Sequence, residues 1–350
     1  MLRDFGNPRP CGVWFNASLG GPSAGAFRIC IHRHLMHGTG MQPASLPLRI
    51  AAVTALLLPA LPAIAQQNPK QVDRAAISQA GPAKAYAQPK KPRTVLVFSV
   101  TRGFHHSSIP WGVAAIEEMG KRTGAYTAVT SDDPANFEAD ALAKFDAVVF
   151  NNTTQSVFLP DKKEFDAMDA AAKQAATQKA KRLQQNLLAF VRSGKGFIGI
   201  HAATDTLYDF PEYGSMVGGY FDGHPWTADV QVSVKVADPA HPINQGMKDI
   251  THLEFCEECY QFRDPYRADR LHVLLRLDTD KTDMTRPGIK RTDKDFALSW
   301  VRMFGEGRVF YCALGHNEHI YLNRHVLSHY FAGIQWALGD LPAPTPPGDK

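Results

Sequence analysis

Apolar runs alternate with amphipathic segments along the chain between residues 93 and 200. The runs predict four strands, at residues 94–100, 125–130, 146–150 and 196–200. The helical spacing of apolar residues between these runs predicts three helices, near residues 110–122, 137–144 and 161–193. Because strands this uniformly apolar are typical of parallel sheets buried on both faces, the alternation predicts a doubly wound α/β fold.

The pattern changes after residue 225, where strands predominate. Residues 228–236 (ADVQVSVKV) alternate strictly between polar and apolar, which is typical of a half-exposed strand. Three more strands are predicted, at residues 270–277, 296–303 and 307–314, the last two joined as a hairpin at 305–307. An amphipathic helix near 324–338 closes the domain. We therefore expect antiparallel strands to extend a mostly parallel sheet in the C-terminal half.

The N-terminal region has the pattern of a targeting sequence. Arg49 precedes a short apolar segment at 50–61, and Ala63-Ile64-Ala65 forms an A-x-A cleavage site before Gln66. We interpret residues 41–65 as a secretory signal peptide. This predicts a periplasmic or secreted protein without a stable membrane span after cleavage, and an uncleaved membrane anchor is the alternative.

Composition suggests the remaining boundaries. Residues 1–40 are rich in Gly, Pro and Arg without periodicity, and we interpret them as a non-native upstream extension. Residues 66–92 are polar with scattered proline and alanine, which predicts a flexible linker. The folded domain is expected at 93–340, followed by a tail at 341–350.

Charge argues against a nucleic-acid partner. Of the 38 basic and 34 acidic residues, five arginines and one aspartate lie within residues 1–65, which leaves 33 of each sign. Three cysteines follow the predicted cleavage site, at Cys256, Cys259 and Cys312. The first two have C-x-x-C spacing, but the second pair that a zinc ribbon needs is missing. A local disulfide is possible, and two cysteines that alternate with acids along a strand are the alternative.

Polar segments, most of them rich in histidine, follow four of the predicted strands. Because ligands bind outside the carboxyl ends of the strands in open α/β sheets, we expect these segments to converge on one site. Their candidate residues are His106, Asn152, Thr153, Thr154, His201 and His316.

Two later segments add candidates. GGYFDGHPW at 218–226 contains His224 and Trp226, and an aromatic ring beside a histidine suits a sugar, although a packed glycine-rich turn explains it as well. FCEECYQF at 255–262 adds Glu257, Glu258 and Tyr260. Acids in an otherwise apolar strand indicate a metal, a hydroxyl-rich ligand or a structural salt bridge, and the pattern does not separate these.

Together, these motifs resemble the ThuA-like family, named for trehalose utilisation, over about residues 94–339. The matching positions are Phe104, His106, Ser108, Asn152, Thr153, Thr154, Gly194, Gly196, Gly199, His201, Ala202, Ala203, Gly218, Gly219, Phe221, His224, Pro225, Glu258, Tyr260, Trp300, Arg302, Arg308 and His316. Glu257 stands where the family pattern has an aspartate.

The resemblance implies a flavodoxin-like fold of the class I glutamine amidotransferase type and a link to carbohydrate metabolism, with a disaccharide or keto-sugar as the expected substrate class. It also makes Arg302 a candidate substrate-binding residue. Where an amidotransferase places its nucleophilic cysteine, this chain has His201, so thiolate-dependent glutaminase activity is not expected.

Histidine at that position is suited to proton transfer or metal binding near neutral pH. The expected catalytic residues are His106, His201, Glu258 and His316. In one mechanism a divalent metal such as zinc, held by His106, His201 and His224 with help from Glu258 and His316, polarises a sugar carbonyl or activates water. In the other no metal binds, and His201 exchanges a proton with the sugar while His316 or Glu258 takes the complementary role.

These mechanisms suit a sugar hydrolase, lyase or isomerase, and a non-catalytic periplasmic sugar-binding protein is the alternative. In either case the expected partner is a small carbohydrate. The sequence does not decide whether the protein forms a homo-oligomer. The expected substrate-binding residues are Asn152, Thr153, Thr154, His224, Trp226, Tyr260 and Arg302.

Overall fold

A computed structural model gives the fold of the protein and describes residues 71–344. The interpretations of residues 1–40 as an upstream extension and of 41–65 as a signal peptide fall outside the described residues and stay predictions. Within residues 71–344, no helix is both long and apolar enough to cross a membrane.

The described residues are organised around a large mixed sheet. The strands are β1 (Thr94–Phe98), β2 (Thr127–Thr130), β3 (Ala147–Asn151), β4 (Gly196–Ile200), β5 (Tyr220–Phe221), β6 (Gln231–Val236), β7 (His252–Cys256), β8 (Phe262–Arg263), β9 (His272–Leu277), β10 (Ala297–Phe304) and β11 (Gly307–Cys312). Nine of them form one sheet in the order β2-β1-β3-β4-β11-β10-β9-β6-β7, while β5 and β8 pair separately.

The sheet has a parallel half and an antiparallel half. Strands β2, β1, β3, β4 and β11 are parallel and have the strand order of a flavodoxin-like sheet. Strands β10, β9, β6 and β7 continue the sheet in antiparallel pairs. The predicted fold class is therefore confirmed, including the added antiparallel strands in the C-terminal half.

Two groups of helices pack against the sheet. The helices are α1 (Arg74–Ala80), α2 (Ile109–Thr123), α3 (Ala139–Leu142), α4 (Lys162–Ala167), α5 (Ala170–Arg192), α6 (Pro211–Val217) and α7 (Arg324–Ala337). Helix α2 contacts α1 and α7, whereas α5 contacts α3 and α6. The central strands β3 and β4 are buried along their whole length, as their apolar sequences predict.

The helix predicted at 161–193 is two helices. Helix α4 ends before Met168, whose backbone is extended, and Asp169 then caps α5 by accepting a hydrogen bond from the N–H of Ala172 at 2.8 Å. An aspartate in this position is a strong helix start signal, which the apolar periodicity alone does not register. The sequence does not predict helix α6 or strand β5. The strand expected at 255–262 consists of the end of β7, a connecting segment at 257–261 and the start of β8.

Residues 72–92 pack against the domain, in contrast to the flexible linker predicted at 66–92, of which residues 66–70 lie outside the described residues. Ile77 of α1 is fully buried. The Oε1 atom of Gln335 accepts a hydrogen bond from the N–H of Tyr86 at 2.8 Å. Polar composition predicted a linker, but a few buried contacts with distant parts of the chain hold the segment in place. Leu341, assigned to the tail, is also buried.

The C-x-x-C pair does not form a local disulfide. Cys259 is a free, buried thiol, as is Cys312 in β11. Pairing of Cys256 with Cys259 is therefore excluded.

The aromatic core beneath the parallel strands predicts a large stability difference between two phenylalanines. Phe150 of β3 is fully buried between Phe98 and Phe197, whereas Phe104 is 63% exposed. We expect Phe150→Ala to lower the free energy of unfolding by about 3–5 kcal/mol because it leaves a cavity. Phe104→Ala should change it by less than about 0.5 kcal/mol. Urea denaturation of both variants tests this, and equal effects would contradict it.

Candidate functional site

Three histidines and a glutamate meet at the carboxyl ends of the parallel strands. His106 follows β1, His201 follows β4 and His316 follows β11, while Glu258 arrives from the antiparallel half after β7. One potential ligand atom from each side chain lies within 4.8 Å of the other three. The structure thus brings together all four residues expected to be catalytic, and their roles stay predictions.

His201 lies at the sharp turn where β4 passes into the 3-10 helix His201–Thr204. Its backbone φ is 47°, in the left-handed region that is strained for residues other than glycine. The hydroxyl of Tyr311 donates to the His201 carbonyl at 2.7 Å. The imidazole Nδ1 lies 2.6 Å from the carbonyl oxygen of Ala313. Because a carbonyl only accepts, Nδ1 carries the proton and Nε2 of the neutral ring is an acceptor.

Tyr260 binds to this Nε2 atom. Its hydroxyl lies 2.8 Å from Nε2 of His201, and the two ring centroids are 4.3 Å apart. Burial raises the pKa of Tyr260 well above its usual value, so the hydroxyl stays protonated and donates. Tyr260 was expected to bind substrate, but its hydroxyl is committed to orienting His201.

The Glu258 carboxylate contacts the imidazoles of three histidines. Its Oε1 atom lies 3.5 Å from Nε2 of His201 and 3.2 Å from Nδ1 of His316. Its Oε2 atom lies 3.4 Å from Nδ1 of His224. Burial alone would raise the pKa of Glu258, but the contacts with His201 and His316 outweigh it and hold the pKa below its usual range. Glu258 is therefore ionised at neutral pH.

The imidazoles around Glu258 differ in their preferred charge. Burial, reinforced by His201 and His316, lowers the pKa of His106 to about 2. Burial also lowers the pKa of His201. For His316 burial acts in the same direction, but the neighbouring Glu258 outweighs it and raises the pKa. Two neutral imidazoles therefore face one carboxylate at neutral pH, and Nδ1 of His106 is buried without a hydrogen-bond partner.

Glu257 accepts hydrogen bonds from the backbone of the loop that contains His316. Its Oε1 atom accepts hydrogen bonds from the N–H groups of Gly315 at 2.7 Å and His316 at 2.6 Å, and Oε2 accepts from Asn317 at 3.1 Å. Burial raises the pKa of Glu257 to about 7 against the effect of these bonds. The sequence marks Glu257 as a candidate beside Glu258 but assigns it no catalytic or binding role, because a loop contact distant in sequence is not visible in the pattern.

The sequence model of a family described as "ThuA: Trehalose utilisation" matches residues 94–337. The chain belongs to the ThuA family. The resemblance read from the strand-end motifs is thereby confirmed. No curated protein matches the chain.

The chain is similar to solved structures of proteins described as ThuA-like. A protein described as ThuA-like from Bacteroides uniformis has a TM-score of 0.52 and 18% sequence identity, covering 73% of this chain and 95% of its own. Another from Parabacteroides merdae has a TM-score of 0.47 and 15% identity, covering 73% of this chain and 94% of its own. At this identity the first likeness supports the fold alone.

The side chains of the Asn-Thr-Thr motif form hydrogen bonds with residues of neighbouring loops. Asn152 is buried, and its Nδ2 atom lies 3.3 Å from the Gly315 carbonyl oxygen. The hydroxyls of Thr153 and Thr206 are 2.9 Å apart. Thr154 donates to the carbonyl of Phe104 at 3.1 Å. The hydroxyls of Thr153 and Thr154 are thus engaged between loops, which does not support their predicted substrate binding. The Oδ1 atom of Asn152 has no hydrogen-bond partner, and its predicted substrate binding stays a prediction.

Trp226 and Arg302 were also expected to bind substrate, and both lie in the protein interior. Trp226 is fully buried, packs edge-on against Phe296, and donates from its indole N–H to the Asp283 carbonyl at 2.9 Å. The buried Arg302 donates to the carbonyl of Ser215 in α6. Neither side chain is available to a sugar, so both predictions are wrong.

His224 takes a more peripheral place than the predicted metal triad of His106, His201 and His224 requires. Its side chain is 45% exposed and contacts Glu258 from the outer side. In the described part of the chain, His316 occupies the position expected for His224 within the tight group. His224 therefore lies at the mouth of the site, where it can meet a ligand.

The Glu257 contacts predict a specific loss on substitution. We expect Glu257→Gln to lower the free energy of unfolding at pH 8 by about 1–3 kcal/mol, because an amide cannot accept all three loop hydrogen bonds. Glu254→Gln on the exposed side of β7 is the matched control and should change it by less than about 0.5 kcal/mol. Urea denaturation measures both, and an unchanged Glu257→Gln variant would show that the loop does not depend on the carboxylate.

Proposed function

We propose that this ThuA-family protein is an exported enzyme that acts on a carbohydrate at a metal-supported histidine site. The observation that carries the proposal is the group His106, His201, Glu258 and His316, whose potential ligand atoms lie within 4.8 Å of one another. The carbohydrate link is supported by the family description and by the imidazole and carboxylate groups, which suit hydroxyl-rich ligands.

The donor set fits a divalent metal. Two donors of a tetrahedral ion with bonds of about 2.1 Å lie about 3.4 Å apart. The Oε1 atom of Glu258 lies 3.5 Å and 3.2 Å from the facing nitrogens of His201 and His316. His201 donates its other ring N–H to a backbone carbonyl, as metal-binding histidines commonly do. His106, His201, Glu258 and His316 would hold the ion, and nitrogen and oxygen donors suit zinc.

When bound, such an ion supplies Lewis-acid chemistry at a sugar carbonyl or at water. The residues of the chain have separate tasks around it. The Tyr260 hydroxyl donates to Nε2 of His201, and this hydrogen bond would have to be released for that nitrogen to bind the ion. His224 is half-exposed beside Glu258 and can exchange a proton with a sugar hydroxyl. Thiolate chemistry is not supported at Cys312, since burial raises the pKa of this thiol to about 12.

One observation favours a non-catalytic sugar-binding protein as the second candidate. Both nitrogens of His201 already have partners within the chain, the Ala313 carbonyl and the Tyr260 hydroxyl. A site satisfied in this way can bind hydroxyl groups without any metal. Under this alternative, sugars bind and are not converted.

Two adjacent histidines provide a test of metal binding. His105 is exposed, whereas His106 is 4% exposed and belongs to the site. We expect the full chain without an affinity tag, and His105→Ala, to bind about one zinc ion. His106→Ala should bind it at least about tenfold more weakly. Equilibrium dialysis with metal analysis measures this, and zinc-free wild type or equal binding by both variants would contradict the metal-supported site.

Turnover separates the two candidate functions. Wild type and His201→Ala are incubated with trehalose and with keto-sugars, and products are followed by chromatography. Conversion that is lost in His201→Ala supports the enzyme. Binding of these sugars without conversion supports the sugar-binding protein.

Export is the second part of the proposal, supported by the pattern of residues 41–65. We expect the chain expressed in a Gram-negative bacterium to be recovered from the periplasm with Gln66 as its first residue, because Ala63 and Ala65 provide small residues at the cleavage site. Ala63→Arg should block this cleavage. N-terminal sequencing of the fractions measures both, and an uncleaved wild type in the cytoplasm would contradict export.

A further inference from the structure

Phe104 exposes an aromatic ring beside the buried histidine cluster. Among the described residues, Phe104 at 63% and Val129 at 38% are the large hydrophobic side chains that stand exposed. Val129 belongs to the edge strand β2, where partial exposure is ordinary. Phe104 lies on the loop after β1, two residues before His106. An exposed phenylalanine at the rim of a polar site is a candidate ligand contact.

The loop backbone holds this exposed position. The N–H of Arg102 donates to the Thr154 carbonyl at 2.9 Å, and the N–H of Gly103 donates to the Thr154 hydroxyl at 3.1 Å. The same hydroxyl donates to the carbonyl of Phe104. Backbone groups on both sides of the ring are thus tied to the segment after β3. These hydrogen bonds fix the loop backbone in the conformation that exposes the Phe104 ring.

The ring lies against two imidazoles of the site. Its centroid is 4.7 Å from that of His106, edge to face, and 6.2 Å from that of His316, with only 17° between the planes. His316 in turn contacts Oε1 of Glu258, whose Oε2 faces the half-exposed His224. An exposed apolar ring therefore lies next to imidazole and carboxylate groups that can form hydrogen bonds with hydroxyls.

We propose that Phe104 binds the apolar face of a pyranose ring and so positions the hydroxyls of that ring against His316 and Glu258. This inference rests on the proposed function. It adds that the site binds the sugar in its pyranose ring form. One face of a pyranose presents C–H groups that pack on an aromatic ring, while its hydroxyls project at the edges. Phe104 is thus a positioning residue at the rim.

The test uses the full chain and trehalose as the probe. Titration calorimetry measures its affinity, and saturation-transfer NMR identifies which sugar protons contact the protein. We expect Phe104→Ala to weaken binding roughly tenfold and to reduce saturation transfer to the C–H protons of one ring face, since buried aromatic contact is lost. Phe104→Trp should keep affinity within about threefold, because it preserves an aromatic face.

Val129→Ala is the matched control, which removes an exposed apolar side chain from the edge strand β2 and not from the loop that carries Phe104. It should leave both measurements unchanged. Equal trehalose binding by wild type and Phe104→Ala would overturn this inference and leave the proposed function intact. No binding by wild type, with either trehalose or methyl glucopyranosides, would contradict the carbohydrate function and overturn the inference with it. Equal losses in Phe104→Ala and Val129→Ala would also overturn it.

Discussion

The three hydrogen bonds of the Glu257 carboxylate join the two halves of the sheet at the site. Glu257 follows β7 in the antiparallel half, and the N–H groups it binds belong to residues 315–317, which follow β11 in the parallel half. Successive side chains along an extended segment point in opposite directions, so Glu258 faces away from its neighbour. One residue thus fixes the loop of His316, and the next supplies the carboxylate that His316 meets.

Burial of these ionisable groups makes their charge states interdependent. A buried carboxylate is costly unless it is paired, and Glu258 meets imidazoles through both of its oxygens. Burial lowers the pKa values of His106 and His201, so their neutral forms predominate near neutral pH. Neutral imidazole and ionised carboxylate are the forms in which these side chains bind a metal. Burial thus favours the charge states of His106, His201 and Glu258 that the proposed metal site requires.

Strand-end position predicted where the site lies, but it did not predict which polar side chains face a ligand. His106, His201 and His316 converge because the carboxyl ends of parallel strands share one edge of the sheet. Thr153 and Thr154 follow the same rule along the chain, yet their hydroxyls hold neighbouring loops. Whether a short polar residue turns inward depends on local backbone angles and on partners distant in sequence. The periodicity of apolar residues reports neither the backbone angles nor the distant partners. For the same reason it does not predict that residues 72–92 pack against the domain.

The strained turn at His201 shows how one architecture can support different chemistry. The left-handed backbone there is held by the Tyr311 hydroxyl on its carbonyl, and the ring is held by the Ala313 carbonyl and Tyr260. These contacts leave the imidazole one orientation, with Nε2 toward Tyr260 and Glu258. A thiol at such a turn would favour covalent catalysis, whereas an imidazole favours proton transfer or metal binding. If the proposed enzyme function holds, the side chain at the turn sets which chemistry the site can support, and the surrounding contacts fix the orientation of that side chain.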